Sequence, residues 1–150
     1  MSAVIRPAQP SDGDAIRQIV LNAYTPWIER IGKPPGPMLD DYGRRIADRQ
    51  VWVAEAGAGI VGLIVLEDAG DAVLLDNVAV APTAHGMGYG RALLAFAKLE
   101  ARRRGCRSLR LYTHVLMTEN LAIYHRLGFI DTGRVCHDGY DRITMAKPLP

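Results

Sequence analysis

The chain has 150 residues, a formal net charge of +2 at pH 7, 49% hydrophobic residues and 23% charged ones. That length suits one domain, 1–150, able to bury about 70% of its unfolded surface without disulfides or metal, and the charge is too small to argue for nucleic acid. Cys106 and Cys136 lack C-x-x-C spacing and are expected as free thiols; with no leader-like start and no apolar run near ~20 residues, the expectation is a cytoplasmic protein with no membrane partner.

In chain order, residues 3–7 read as a strand, and a helix over 11–24 follows, capped by Ser11 or Asp12. Ile16, Ile19, Val20, Ala23 and Tyr24 fall on one face of it. Residues 26–48 read as irregular or helical, and 50–56 with 60–67 form a hairpin joined at the AGAG of 56–59. AVLLDNVAVAP (72–82) is a β-branched, mostly apolar strand closed by Pro82. A helix over 89–104 stops at Gly105, a strand covers 107–114, a helix covers 118–126 with Thr118 as cap and Gly128 as stop, and strands near 129–136 and 140–147 finish the chain. Neighbouring strands mixed with β-α-β crossovers imply a mixed sheet, antiparallel early and parallel around the helix at 89–104. The arginines at 102, 103, 104 and 107 suit the negative end of that helix and read as a solvated terminus.

Between the strand at 72–80 and the helix at 89–104 lies the most informative segment, HGMGYGRALLA (85–95). Alternate glycines at 86, 88 and 90 let backbone amides approach an anion where a helix start offers up to four N–H groups without intrahelical partners. A P-loop is excluded, since no Lys-Ser or Lys-Thr pair occurs in the chain. A dinucleotide loop fits poorly, because from Gly86 the third glycine of G-x-G-x-x-G falls on Arg91.

The spacing [Q/R]-x-x-G-x-[G/A], met by His85, Gly88 and Gly90, resembles the coenzyme A loop of the GNAT superfamily of acyl-CoA N-acyltransferases, with His85 in place of the usual Gln or Arg. TENLAIYHRLGF (118–129) resembles that family's later motif, a tyrosine four residues before Gly-Phe, through Tyr124, Gly128 and Phe129. The family's asparagine, seven residues before the tyrosine, falls on Met117 here; Asn120 shares Tyr124's helix face instead. The resemblance spans nearly the whole chain and implies an α/β fold: a mixed, largely antiparallel central sheet of six to seven strands flanked by about four helices.

It also implies transfer of an acetyl group from acetyl-CoA to a primary amine of a small molecule or peptide, by direct attack in a ternary complex. Pantetheine would lie along Val78, Ala79 and Val80 and contact Asn120; diphosphate would sit on the amides from Gly86 through Met87, Gly88, Tyr89 and Gly90 to Arg91, after His85. Tyr124 would assist the departing thiolate. Homodimers are a family-level expectation. An alternative reading, a module that senses acyl-CoA without turnover, rests on His85 and the displaced asparagine.

A lysine-like amine is only about 1 part in 2,500 neutral at pH 7, a penalty of roughly 4.6 kcal/mol, so a base is wanted. Asp76 is the first candidate, a carboxylate on an otherwise apolar strand face with Leu74, Val78 and Val80; a hydrogen-bonded residue at the sheet rim is its plain structural alternative. His114, at the end of the next strand, is the rival, and Glu119 the third. For the acceptor wall, Tyr24, Trp27 and Glu29 stand at the head of the proline-rich segment 24–42. No metal is expected, since the four histidines form no H-E-x-x-H pair. No serine lies in G-x-S-x-G, which removes a serine hydrolase.

Overall fold

A computed structural model describes residues 3–57 and 59–150, so Ala58 of the expected AGAG hairpin turn lies outside the described residues. Strand β1 (Val4–Pro7) leads through a 3-10 turn into helix α1 (Gly13–Ile31), and a second short helix, α2 (Tyr42–Ala47), precedes strands β2 (Val51–Ala56), β3 (Gly59–Ala69) and β4 (Ala72–Val80). Helix α3 (Tyr89–Arg103), strand β5 (Ser108–His114), helix α4 (Thr118–Arg126) and strands β6 (Ile130–His137) and β7 (Tyr140–Pro148) complete the order. The seven strands form one mixed sheet in the order β1-β2-β3-β4-β5-β7-β6. β4 and β5 run parallel, and α3 between them supplies the crossover that a parallel pair needs, while β1-β2, β2-β3, β5-β7 and β6-β7 are antiparallel. The expected α/β class, strand number and helix number are those observed.

The chain divides into two compact units, one running to Leu66 and including Asn77–Ala97, the other made of Glu67–Asp76 and Lys98–Pro150. In the first unit, Ile16, Ile19 and Val20 of α1 and Tyr42 and Ile46 of α2 pack with Val51, Val53, Leu63, Val65 and Ala79 of the strands. α1 outruns the helix expected to end at residue 24: it continues through Pro26 to Ile31 and ends at Gly32, whose φ of 90° only glycine adopts readily. A proline inside a helix removes one N–H and crowds the turn before it. Beside it the Thr25 hydroxyl donates to the Leu21 carbonyl at 2.5 Å, a bond back onto the preceding turn.

Asp12 occupies the N-cap position of α1, yet its side chain makes no capping bond. Its carboxylate instead accepts from Arg6 at 2.8 and 3.1 Å and from the Gln9 backbone N–H at 2.7 Å. The Arg6 hydrogen bond is the main cause that holds this carboxyl below its usual range. The expected cap is thus a tie between β1 and the helix start.

In the second unit, the register sets Leu75 against Leu111 and Leu111 against Met145, which places three apolar side chains in a row across β4, β5 and β7. Leu111, Met145 and Phe129 are buried there. Gly105, with φ of 74°, ends α3 as expected. Of the basic cluster, Arg103 and Arg104 are ion-paired, to Glu100 at 2.5 and 3.5 Å and, for Arg104, to Asp68 at 2.7 Å. Thr118 is the first residue of α4 rather than its cap, and its hydroxyl donates to Glu119 at 2.7 Å. Gly128, at φ of 94°, closes α4.

Candidate functional site

In the first unit, β4 ends at Val80, a 3-10 turn covers Pro82–Ala84, and the chain enters α3 at Tyr89. Gly86 and Gly88 have φ of 79° and 86°, and a Cβ on either would meet nothing within 4 Å. Glycine is therefore required here by backbone conformation, and the space outside the loop is open. The Ala92 N–H donates to the Gly88 carbonyl at 3.0 Å. That bond opens the helical ladder, and leaves the N–H groups of Tyr89, Gly90 and Arg91 in the positions that have no intrahelical acceptor. Tyr89 is buried while His85, Gly86, Met87, Gly88 and Arg91 are exposed. The His85 ring turns back onto the strand, its Nε2 3.1 Å from the Val80 carbonyl.

The strand end also carries a polar relay. Asn77 is only 3% exposed, and its Oδ1 accepts from the Tyr24 hydroxyl at 2.5 Å while its Nδ2 donates to the Tyr42 hydroxyl at 3.0 Å. Tyr42 in turn donates to the Pro37 carbonyl at 2.5 Å. Tyr24 also lies 3.2 Å from the Val78 carbonyl. The relay pins α1, α2 and the proline-rich turn to β4, with every buried polar atom satisfied.

The three acceptor-wall candidates all lie on α1 rather than on a loop, and Tyr24 and Trp27, three residues apart, are neighbours on its surface. Trp27 carries the Arg30 guanidinium 4.8 Å above its ring. Glu29 is exposed, about 140° round the helix axis from Tyr24 at about 100° per residue.

In the second unit, Asp76 accepts from the Tyr112 hydroxyl at 2.6 Å. Burial first, and then the Asp76 charge, push the Tyr112 phenol well above its ordinary pKa, so it stays a donor. The Arg142 guanidinium lies 4.9 Å from the Tyr112 ring centre and 4.7 Å from that of Tyr140. His114 is 9% exposed and packs edge-on against Tyr140. Its Nδ1 accepts the Leu116 N–H at 3.1 Å, which places the proton of the neutral ring on Nε2 and leaves no lone pair free for an acceptor amine.

Tyr124 projects from α4 with its ring edge-on to Phe129, centroids 5.6 Å apart. Burial pushes its phenol up to about 12. Its hydroxyl makes no hydrogen bond among the described residues and is not a sealed orphan, since no buried side-chain oxygen there lacks a partner. Asn120 stands one turn earlier on the same helix face.

Sequence reasoning passed over Asn77, Tyr112 and Arg142. Asn77 had a readable signal, a polar residue alternating with Leu75 and Ala79 on the buried side of β4. Tyr112 and Arg142 become notable only through strand register, since β5 has neighbours distant in sequence. Among the described residues no group of three His, Cys, Asp or Glu side chains could hold a metal, and no helix is long and apolar enough to cross a membrane.

A family model for the acetyltransferase (GNAT) domain matches residues 47–131, which include the glycine loop and Tyr124. The chain is 34% identical over 106 residues to a protein called IAA acetyltransferase from Azospirillum brasilense, covering 68% of this chain and 69% of that protein. Among solved structures, it is similar to the PaiA N-acetyltransferase of Thermoplasma acidophilum in complex with coenzyme A, at 20% identity and a TM-score of 0.78, covering 99% of each chain. It is similar also to the ribosomal-protein-S18-alanine N-acetyltransferase of Escherichia coli, at 23% identity and a TM-score of 0.75 over 98% of this chain and 94% of that one. At these identities the two structural likenesses speak for the fold.

Proposed function

The chain belongs to the GNAT acetyltransferase family, and from that premise we propose that it moves an acetyl group from acetyl-CoA to a primary amine of a small molecule or peptide, by direct attack in a ternary complex. The observation that carries this reading is the open glycine loop, left-handed at Gly86 and Gly88, running into the start of α3. Exposed amides at a helix start, with about half a positive charge from the macrodipole, suit a diphosphate. The amides from Gly86 to Arg91 hold it, and the buried ring of Tyr89 fixes the loop from beneath.

Along β4 the Ala81 N–H is taken by the Val61 carbonyl, so by strand alternation the groups of Ala79 also face β3 and those of Val78 and Val80 face the opposite side. Val78 and Val80 therefore offer the strand-like partners for pantetheine's amides. Their carbonyls are engaged by Tyr24 and His85, side chains that can release them to a competing donor. Asn120 is carried over from the family motif as a further pantetheine partner.

Acetyl-CoA supplies the activated carbonyl as a thioester. The amine nitrogen forms the new C–N bond as the C–S bond breaks; Asp76 is assigned the proton that the amine gives up, and Tyr124, by its match to the family motif, the role of assisting the departing sulfur. A phenol ordinarily lies above a thiol, and burial raises that of Tyr124 further, so full proton transfer to sulfur is uphill. Tyr124 therefore donates a hydrogen bond to the charge developing on sulfur, an interaction stronger in the transition state than before it.

The test is thiol release from acetyl-CoA with a panel of small amines, polyamines, amino acids and peptide N-termini, repeated with Tyr124→Phe. The expected result is thiol released one for one with acetylated amine, and kcat lower by about 10- to 100-fold in the variant at unchanged coenzyme affinity. Tight coenzyme binding without turnover, indifferent to Tyr124→Phe, would instead establish the acyl-CoA-sensing module.

A further inference from the structure

Arg142 is a cation that the fold has shaped and left without an anion. Its guanidinium lies over the faces of Tyr112 and Tyr140, at 4.9 and 4.7 Å. Among the described residues no carboxylate lies within ion-pair distance of it, and no hydrogen bond uses its five N–H donors. Other arginines of this unit are treated differently: Arg134 is paired bidentately with Asp141 at 2.6 and 2.8 Å, and Arg104 with Asp68 and Glu100. Ring faces attract the planar cation but leave its donor edge unused. Two tyrosines holding such a plane reduce the entropy lost when a carboxylate docks on the fork.

The ring that positions this fork also ties it to the candidate base. Tyr112 bears Arg142 on its face, while its hydroxyl donates to Asp76 at 2.6 Å. The strand register explains the grouping, since Tyr112 follows the Leu75–Leu111 pair on β5, and Arg142 of β7 pairs with His114, two residues on and on the same face. A carboxylate and an unpaired guanidinium thus flank one aromatic ring, the arrangement that a molecule bearing an amine and a carboxylate on a short carbon chain would complement at both ends.

We infer that the acceptor is an amine that carries its own carboxylate, an amino acid, with Arg142 gripping the carboxylate while the amine is presented to Asp76. This rests on the acetyl-transfer reading above, because it assigns Asp76 the proton-accepting role. A carboxylate left unpaired against Asp76 would be repelled; opposite Arg142 it is held, and the same contact rejects plain amines and polyamines, whose second end is apolar or cationic.

The experiment compares amino acids with their carboxamides, which keep the amine and lose only the negative charge, in turnover with acetyl-CoA and in calorimetric binding to the coenzyme A-loaded protein. Wild type is expected to prefer acid over amide by at least about tenfold in kcat/KM and in affinity. Arg142→Gln is expected to erase that preference, and Arg142→Lys, which keeps charge but not the fork, to restore part of it. Melting curves of the variants show that they are folded. Equal use of acid and amide by wild type, or a preference that survives Arg142→Gln, would overturn the anchor. Carboxylate-dependent binding that Arg142→Gln abolishes, with no acetyl transfer, would keep the anchor and sink the transfer reading.

Discussion

Gly88→Val is expected to weaken coenzyme A binding by about 10²- to 10⁴-fold while leaving the fold in place. The backbone at Gly88 sits at φ of 86°, a region that a β-branched L-residue reaches only with strain. To relieve it the loop must rotate, and the N–H groups leading into α3 turn away from the space they share. Losing two hydrogen bonds to a charged phosphate, at about 1.5–3 kcal/mol each, gives the stated range. Folding is spared because a Cβ at Gly88 meets nothing within 4 Å, so no packed neighbour is displaced. Gly32→Val is the control: Gly32 has φ of 90° and equally open surroundings at the end of α1, so it carries similar backbone strain without touching the loop. Calorimetric titration with coenzyme A should separate the two variants, and equal affinities would show that strain, not amide placement, decides the loss.

Asp76→Asn should lower kcat/KM by about 10²- to 10⁴-fold, the usual contribution of a positioned base. The amide oxygen of Asn can still accept from Tyr112, which donates at 2.6 Å in the native pair, so the variant removes proton-accepting power and keeps the geometry. Tyr112→Phe keeps the carboxylate and removes one hydrogen bond to it, so it should cost less than Asp76→Asn. His114→Gln is expected to cost little by comparison, because Nδ1 of His114 is already spent on the Leu116 N–H at 3.1 Å. Steady-state rates across pH for the three variants measure this ordering; a larger loss at His114 than at Asp76 would transfer the base to the histidine.

Legibility in the sequence followed the locality of each constraint. The glycine loop, the strand before it and the helix after it were readable because a left-handed turn, a β-branched run and helical spacing each leave their mark within about ten residues. Gly105 and Gly128 marked helix ends for the same reason, with φ of 74° and 94°. The end of α1 was not readable: Pro26 looks like a break, yet the helix runs on to Ile31 and stops only at the left-handed Gly32. Asp12 looked like a cap until Arg6, from the preceding strand, claimed its carboxylate. Asp76 could be singled out as an odd carboxylate on an apolar strand, but its partner Tyr112 and the stacked Arg142 lie 36 residues and more along the chain. Such pairs are created by strand register, which no local pattern encodes.

The account depends most on the backbone amides of residues 86–91 gripping a diphosphate, and a crystal structure of the protein with coenzyme A tests that directly. The expected density places phosphoryl oxygens about 3 Å from the N–H groups of Gly88, Gly90 and their neighbours, with the His85 ring displaced from the Val80 carbonyl. Coenzyme A lodged elsewhere, for instance on Arg102 and Arg107 beyond the far end of α3, with the glycine loop untouched, would contradict it.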